Sequence, residues 1–181
     1  MTRIYLFKTS WKFPSLSSIL GARILALQKG QPYFMTLDNE NDLLALQRIG
    51  RIVANCLQIM GNSLEPGMTT LELDGIGEGY LQVQGAQSAP RLVYKFPGST
   101  CISINNEIAH GIPGSRRIQA GDMVNIDVSA EKEGYFGDTG GSFIVPPESK
   151  VKRHLCDSTR RALEAAMLVA RAGQPLNGIG R

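Results

Sequence analysis

At 181 residues, with 43% hydrophobic and 19% charged positions, the chain has the composition of one soluble globular domain, which excludes disorder as a whole. The formal charge of +3 is unevenly spread, since residues 1–34 hold Arg3, Lys8, Lys12, Arg23 and Lys29 and no acid, a charge of +5 that leaves −2 for the rest. A slightly acidic remainder argues against a specific nucleic-acid surface, and no apolar run approaches the ~18 residues that would span a membrane.

The basic leader supports two readings. Its serines and the short apolar stretch from Ile19 to Leu27, broken by Arg23, faintly resemble a transit peptide. The plainer reading makes residues 1–34 a misassigned upstream extension, because Met35-Thr36-Leu37 stands directly before a strong helix signal. The expected boundary therefore lies between residues 34 and 35. Cys56, Cys101 and Cys156 are widely spaced and odd in number, without a CxxC pair or a Cys/His cluster. They suggest neither a disulfide framework nor a structural zinc, and they fit a reducing, cytoplasmic compartment.

From Asp38 the elements are legible in order. Leu46, Ile49, Val53, Cys56 and Met60 recur at spacings of three and four, which predicts a core-facing helix over residues 39–62, stopped before Pro66-Gly67. Thr69 and Glu72 form a capping-box pattern for a second helix with Leu73, Ile76 and Tyr80 on one side. Gly75, Gly77 and Gly79 should weaken that helix by about 1 kcal/mol each, and their spacing and context do not make a phosphate loop. Pro90 to Pro97 reads as a loop and Thr100 to Ile104 as a short strand. The strand leads to His110 in a turn punctuated by Gly111 and Pro113, where an imidazole can be held at a site.

Val124, Ile126 and Val128 alternate with polar residues, and β-prone residues resume at Tyr135-Phe136 and Phe143-Ile144-Val145, the pattern of a hairpin. A four-residue loop over Glu131–Gly134 would set Ala130 opposite Tyr135 and bring Asp127 opposite Asp138. Directly opposed carboxylates, with Cβ atoms roughly 4.5–5.5 Å apart, repel unless a cation lies between them. One reading is therefore a divalent-metal pair; the other is two solvated aspartates near a turn. Together with His110, the metal reading gives the components of metal-assisted hydrolysis. A last helix is expected over residues 150–172, with Leu155, Thr159, Leu163, Ala166 and Ala170 on one face and Gly173 and Pro175 ending it. His154 lies in its basic first turn.

Residues 36–181 resemble the N-terminal half of a type I methionine aminopeptidase. The resemblance rests on Pro66-Gly67-Met68-Thr69-Thr70-Leu71-Glu72-Leu73-Asp74, Phe96-Pro97-Gly98-Ser99-Thr100-Cys101-Ile102-Ser103-Ile104-Asn105, His110-Gly111-Ile112-Pro113-Gly114, Gly121-Asp122-Met123-Val124-Asn125-Ile126-Asp127-Val128 and Gly134-Tyr135-Phe136-Gly137-Asp138-Thr139. It implies an α+β, pita-bread (creatinase/aminopeptidase-like) fold, of which this would be one half, with an antiparallel sheet and covering helices. It implies removal of initiator methionine from nascent chains, at the ribosome, by an enzyme that is monomeric at full length and carries two divalent ions, cobalt, manganese, iron or zinc. By the same resemblance Asp127 and Asp138 are metal ligands, and His110 contacts substrate and stabilises the tetrahedral intermediate. Phe96 and Cys101 fall where the family lines its methionine pocket.

Two departures stand out. Ser129 occupies a position where many members carry threonine, which keeps the hydroxyl. The family completes its site with a histidine in an HGxG-type motif and two glutamates, whereas after Asp138 this chain offers Glu148, Glu164 and His154, none in those motifs. Residues 35–181 are therefore expected to be a truncated catalytic domain, inactive alone. The alternatives kept open are another pita-bread hydrolase, such as a proline-specific aminopeptidase or dipeptidase, and a non-catalytic pita-bread protein- or RNA-binding module.

Overall fold

The computed structural model describes residues 24–28, 31–35, 37 and 39–180, which divide into a compact unit of residues 44–154 and a second unit formed by the flanking stretches. The reading of residues 1–34 as leader or upstream extension falls largely outside the described residues. Of that segment the structure describes an antiparallel pair, β1 (Ile24–Gln28) and β2 (Gln31–Met35), in which Ile24 opposes Met35 and Gln28 opposes Gln31.

Helix α1 (Glu40–Asn62) matches the expected span, and the Asn39 side-chain oxygen accepts from the Asp42 N–H in its first turn. Ile49, Val53, Cys56 and Met60 from the apolar stripe are buried, joined by Ile52 and Leu57. Helix α2 (Thr70–Val83) starts from the capping box as written: the Thr69 hydroxyl accepts from the Glu72 N–H, and the Glu72 carboxylate accepts from the Thr69 N–H. One of its glycines has a packing reason, since a Cβ on Gly77 would stand 2.6 Å from the Met60 sulfur of α1. Gly75 and Gly79 have no such neighbour.

Strand β3 (Gln87–Ser88) leads directly into helix α3 (Ala89–Tyr94). The expected loop from Pro90 is thus largely helical. The Ser88 hydroxyl caps it, Pro90 lies in its first turn where a missing N–H costs nothing, and Lys95 ends it in the left-handed region. The remaining elements are β4 (Cys101–Ile104), β5 (Met123–Lys132), β6 (Tyr135–Ile144) and α4 (Lys150–Val169), followed by a 3₁₀ turn at Leu176–Gly178.

Strand β5 is the centre of an antiparallel sheet. Along its whole length it pairs with β6; its other edge takes β4 beside residues 124–127 and β3 beside residues 130–131. Val124, Ile126, Val128 and Ala130 of β5 are fully buried with Ile102 and Ile104 of β4 and with the apolar faces of α1 and α2, forming one core. The odd-numbered residues of β5 point the other way. In α4 no residue is buried, and Lys152 in its first turn donates to the Gly121 carbonyl (2.6 Å) and the Asn105 side-chain oxygen (2.9 Å).

Close packing between α1 and β6 makes glycines on one helix unequal. A Cβ on Gly61 would lie 2.1 Å from the Phe143 ring, while one on Gly50 meets nothing within 4 Å. Gly61→Ala should destabilise the fold by ~1–3 kcal/mol through overpacking, whereas Gly50→Ala should stabilise it by up to about 1 kcal/mol through helix propensity. Urea unfolding of the two variants checks the opposite signs.

Candidate functional site

The site starts from the pleat of β5. With even residues in the core, Asn125, Asp127 and Ser129 share the opposite face, and β4 adds Cys101 and Ser103 because Cys101 opposes Asp127 and Ser103 opposes Asn125. Strand β6 adds Asp138, Gly140 and Ser142, opposite Ser129, Asp127 and Asn125. The hairpin register differs from the expected one by two residues. The turn is Glu133-Gly134, both at positive φ (56° and 86°), so Lys132 rather than Ala130 faces Tyr135. That is the backbone a two-residue hairpin turn requires, and glutamate is an unusual occupant of its first position.

Asp127 and Asp138 are consequently diagonal neighbours rather than direct partners. A diagonal pair on one sheet face is separated by roughly 7–8 Å between backbones, within reach of two side chains that lean together. They do lean together: the two carboxyl groups share a hydrogen bond. Gly140, opposite Asp127, contributes no side chain to fill the space between them. Burial first, then the charge of Asp138 and their hydrogen bond, push Asp127 up to about 6, partly offset by the positive charge of His110. Ser129 donates to Asp138 Oδ1 at 2.5 Å.

His110 reaches the same neighbourhood by a different route. Residues 105–111 fold back along the outer edge of β4, where the Ile102 N–H donates to the Gly111 carbonyl (2.9 Å) and the Gly111 N–H to Ser103 Oγ (3.1 Å). The approach is so close that a Cβ on Gly111 would lie 2.0 Å from the Ile102 carbonyl oxygen, so glycine is required there. At the other end of the loop the Glu107 carboxylate accepts from the Ile104 N–H (2.7 Å) and pairs with Arg116. Held between these anchors, His110 adopts a left-handed φ of 56° and is exposed.

Cys101 stands directly across from Asp127, and burial together with the charges of Asp127, Asp74 and Asp138 pushes its thiol up to about 11. At ordinary pH it is a neutral thiol rather than a thiolate. Phe96 is half-buried in the turn after α3, where its N–H donates to the Pro90 carbonyl. His154 is exposed on α4.

One structural residue escaped the sequence reading. Asp74 of α2 is 2% exposed, and its carboxylate accepts from the Ser99 N–H, the Thr100 N–H and the Thr100 hydroxyl, with bonds down to 2.7 Å. It fixes the turn that delivers Cys101 to the sheet. The available signal was an acidic residue directly after Leu73 on the core side of an amphipathic helix.

Two converging carboxylates that repel, one of them holding a proton well above its ordinary range, form a hard-oxygen donor set that fits a divalent cation. Among the described residues no group of three or more His, Cys, Asp or Glu comes together as a ligand set.

Residues 45–181 match the model of metallopeptidase family M24. Methionine aminopeptidase 2 of Bacillus subtilis is 46% identical over 148 residues, 81% of this chain and 59% of its own length. The chain thus spans well under two thirds of that relative. Among solved structures, methionine aminopeptidase from Rickettsia prowazekii superposes with a TM-score of 0.67 at 32% identity, covering 71% of this chain and 52% of its own. The prolidase of Pyrococcus furiosus superposes at 0.62 with 18% identity over 71% of this chain and 36% of its own, a likeness of fold.

The carboxylate pair makes stability depend on pH in a defined sense. Asp127 titrates near 6 in the folded chain and near 3.8 when unfolded, so the folded state retains a proton that the unfolded state releases. In metal-free buffer its contribution is neutral below about pH 4, turns unfavourable as pH rises towards 6, and is fully unfavourable above that. Asp127→Asn should therefore raise the melting temperature at pH 7 and leave it unchanged at pH 4, measured by thermal unfolding in chelator.

Proposed function

Because the chain belongs to metallopeptidase family M24, we propose that it contributes to a methionine aminopeptidase, which releases N-terminal methionine from newly made polypeptides in the cytoplasm. The observation that carries the reading is the hydrogen-bonded Asp127–Asp138 pair on the open face of the sheet, with His110 within electrostatic range, in a chain 46% identical to a methionine aminopeptidase. The protein N-terminus is the substrate, met at the ribosome, by a monomer when the fold is whole.

In this reading Asp127 and Asp138 hold two divalent cations, which when bound supply Lewis acidity and lower the proton affinity of a water at the site. Asp127 and Asp138 orient the reacting centre from one side. His110, exposed on its anchored loop, donates a hydrogen bond to the oxygen of the scissile carbonyl as charge develops there. The neutral Cys101 thiol and the Phe96 ring line the pocket for the methionine side chain, and a buried thiol is a compatible neighbour for a thioether. The 46% identity favours methionine over a proline-specific substrate, because the prolidase likeness extends to the fold alone.

Two experiments test this. In a fusion of this chain with the C-terminal part of the Bacillus relative, Asp127→Asn or Asp138→Asn should abolish tight divalent-metal binding and cleavage of Met-Ala-Ser. His110→Ala should keep the metal and lower kcat by ~10²-fold or more, the effect of a group acting in the transition state. Loss of metal with intact turnover after remetallation would contradict the role of His110.

The 181-residue chain alone should release no methionine above background with added cobalt or manganese. Two carboxylates leave most coordination positions to water and provide no glutamate base beside it. Turnover that disappears in an Asp138→Asn control would contradict this.

A further inference from the structure

Ser129 lies on the same face of β5 as Asp127, two residues on, and directly opposite Asp138. Its hydroxyl donates to Asp138 Oδ1 at 2.5 Å, at the short end of the range for a hydroxyl bonded to a carboxylate and about twice as strong as a neutral bond. Asp138 needs such a restraint. It is exposed, and it sits on β6, whose outer edge pairs with no described strand. A free aspartate side chain there would divide its time among rotamers, and only some of them lean diagonally towards Asp127. The serine commits one oxygen of Asp138, which fixes the plane of the carboxyl group as it leans towards Asp127. Gly140, the next residue of β6 on that face, cannot obstruct the lean.

We propose that Ser129 is a positioning residue that presents Asp138 to a divalent cation shared with Asp127, an inference that rests on the metal-site reading above. Partners of this kind typically change metal affinity by 10- to 100-fold. The hydroxyl is the operative group, so threonine should replace serine and valine, which has threonine's shape without the oxygen, should not.

The test is titration of the 181-residue chain with Mn²⁺ up to millimolar concentration, with free Mn²⁺ read from its electron paramagnetic resonance signal. Wild type and Ser129→Thr should bind within about twofold of each other, and Ser129→Ala and Ser129→Val about 10-fold more weakly. The urea midpoints of the metal-free Thr and Val forms should agree, which separates positioning from folding. Equal binding by all four proteins, or a loss that threonine does not restore, would overturn the proposal while an Asp138→Asn control that loses binding leaves the metal site standing. Wild type no better than Asp138→Asn would overturn the metal-site reading, and the role of Ser129 with it.

Discussion

The register of β5 against β6 is the constraint on which the rest of the site depends. Side chains on a strand alternate with a period of two, so a slip of one residue would send Asp138 into the core and expose its neighbours. The core prevents this: Val124, Ile126, Val128 and Ala130 are all 0% exposed, and each would be lost to solvent together. Burying a side chain of this size contributes about 1.5–3 kcal/mol for valine or isoleucine, so the odd-numbered face is polar by consequence of what the even-numbered face buries. The Glu133-Gly134 turn then selects which residue on that face meets which.

Two anchors outside the hairpin bring the other groups to the same face. The buried Asp74 carboxylate offsets its desolvation with three donors from Ser99 and Thr100, and removing it would leave three buried donors without an acceptor. It thereby sets the start of β4 and the place of Cys101. At the far edge, the bonds of Gly111 to Ile102 and Ser103 hold the loop of His110 against β4. A left-handed histidine is uncommon, and here it follows from a backbone tied on both sides. The chemistry-bearing residues thus come from three separate segments, each fixed by backbone hydrogen bonds.

Much of this was legible in the chain. The 3.6-residue stripe of α1 and the Thr69/Glu72 box of α2 are local signals; α1 formed within a residue of its expected span, and α2 starts at the expected cap. For the aspartates, the expected register erred by two residues, which preserves parity, so both lay on the expected face while their direct partners changed to Gly140 and Ser129. The error came from the turn, because nothing local marks Glu133 as a residue that will take positive φ; the usual signal is asparagine or aspartate before glycine. Helix α3 was missed because Pro90 and the apolar run after it read equally well as loop, and its cap comes from the Ser88 hydroxyl. Asp74 was missed for a different reason: its partners lie 25 and 26 residues further on, and such bonds exist only once the fold has formed.

Crystals of the 181-residue chain grown with Mn²⁺ and measured at the manganese edge bear most directly on whether the two aspartates form a cation site. An anomalous peak at ~2.0–2.6 Å from an oxygen of both Asp127 and Asp138, absent in crystals of Asp138→Asn, is the expected result. Manganese bound elsewhere with the Asp127–Asp138 hydrogen bond intact would contradict it.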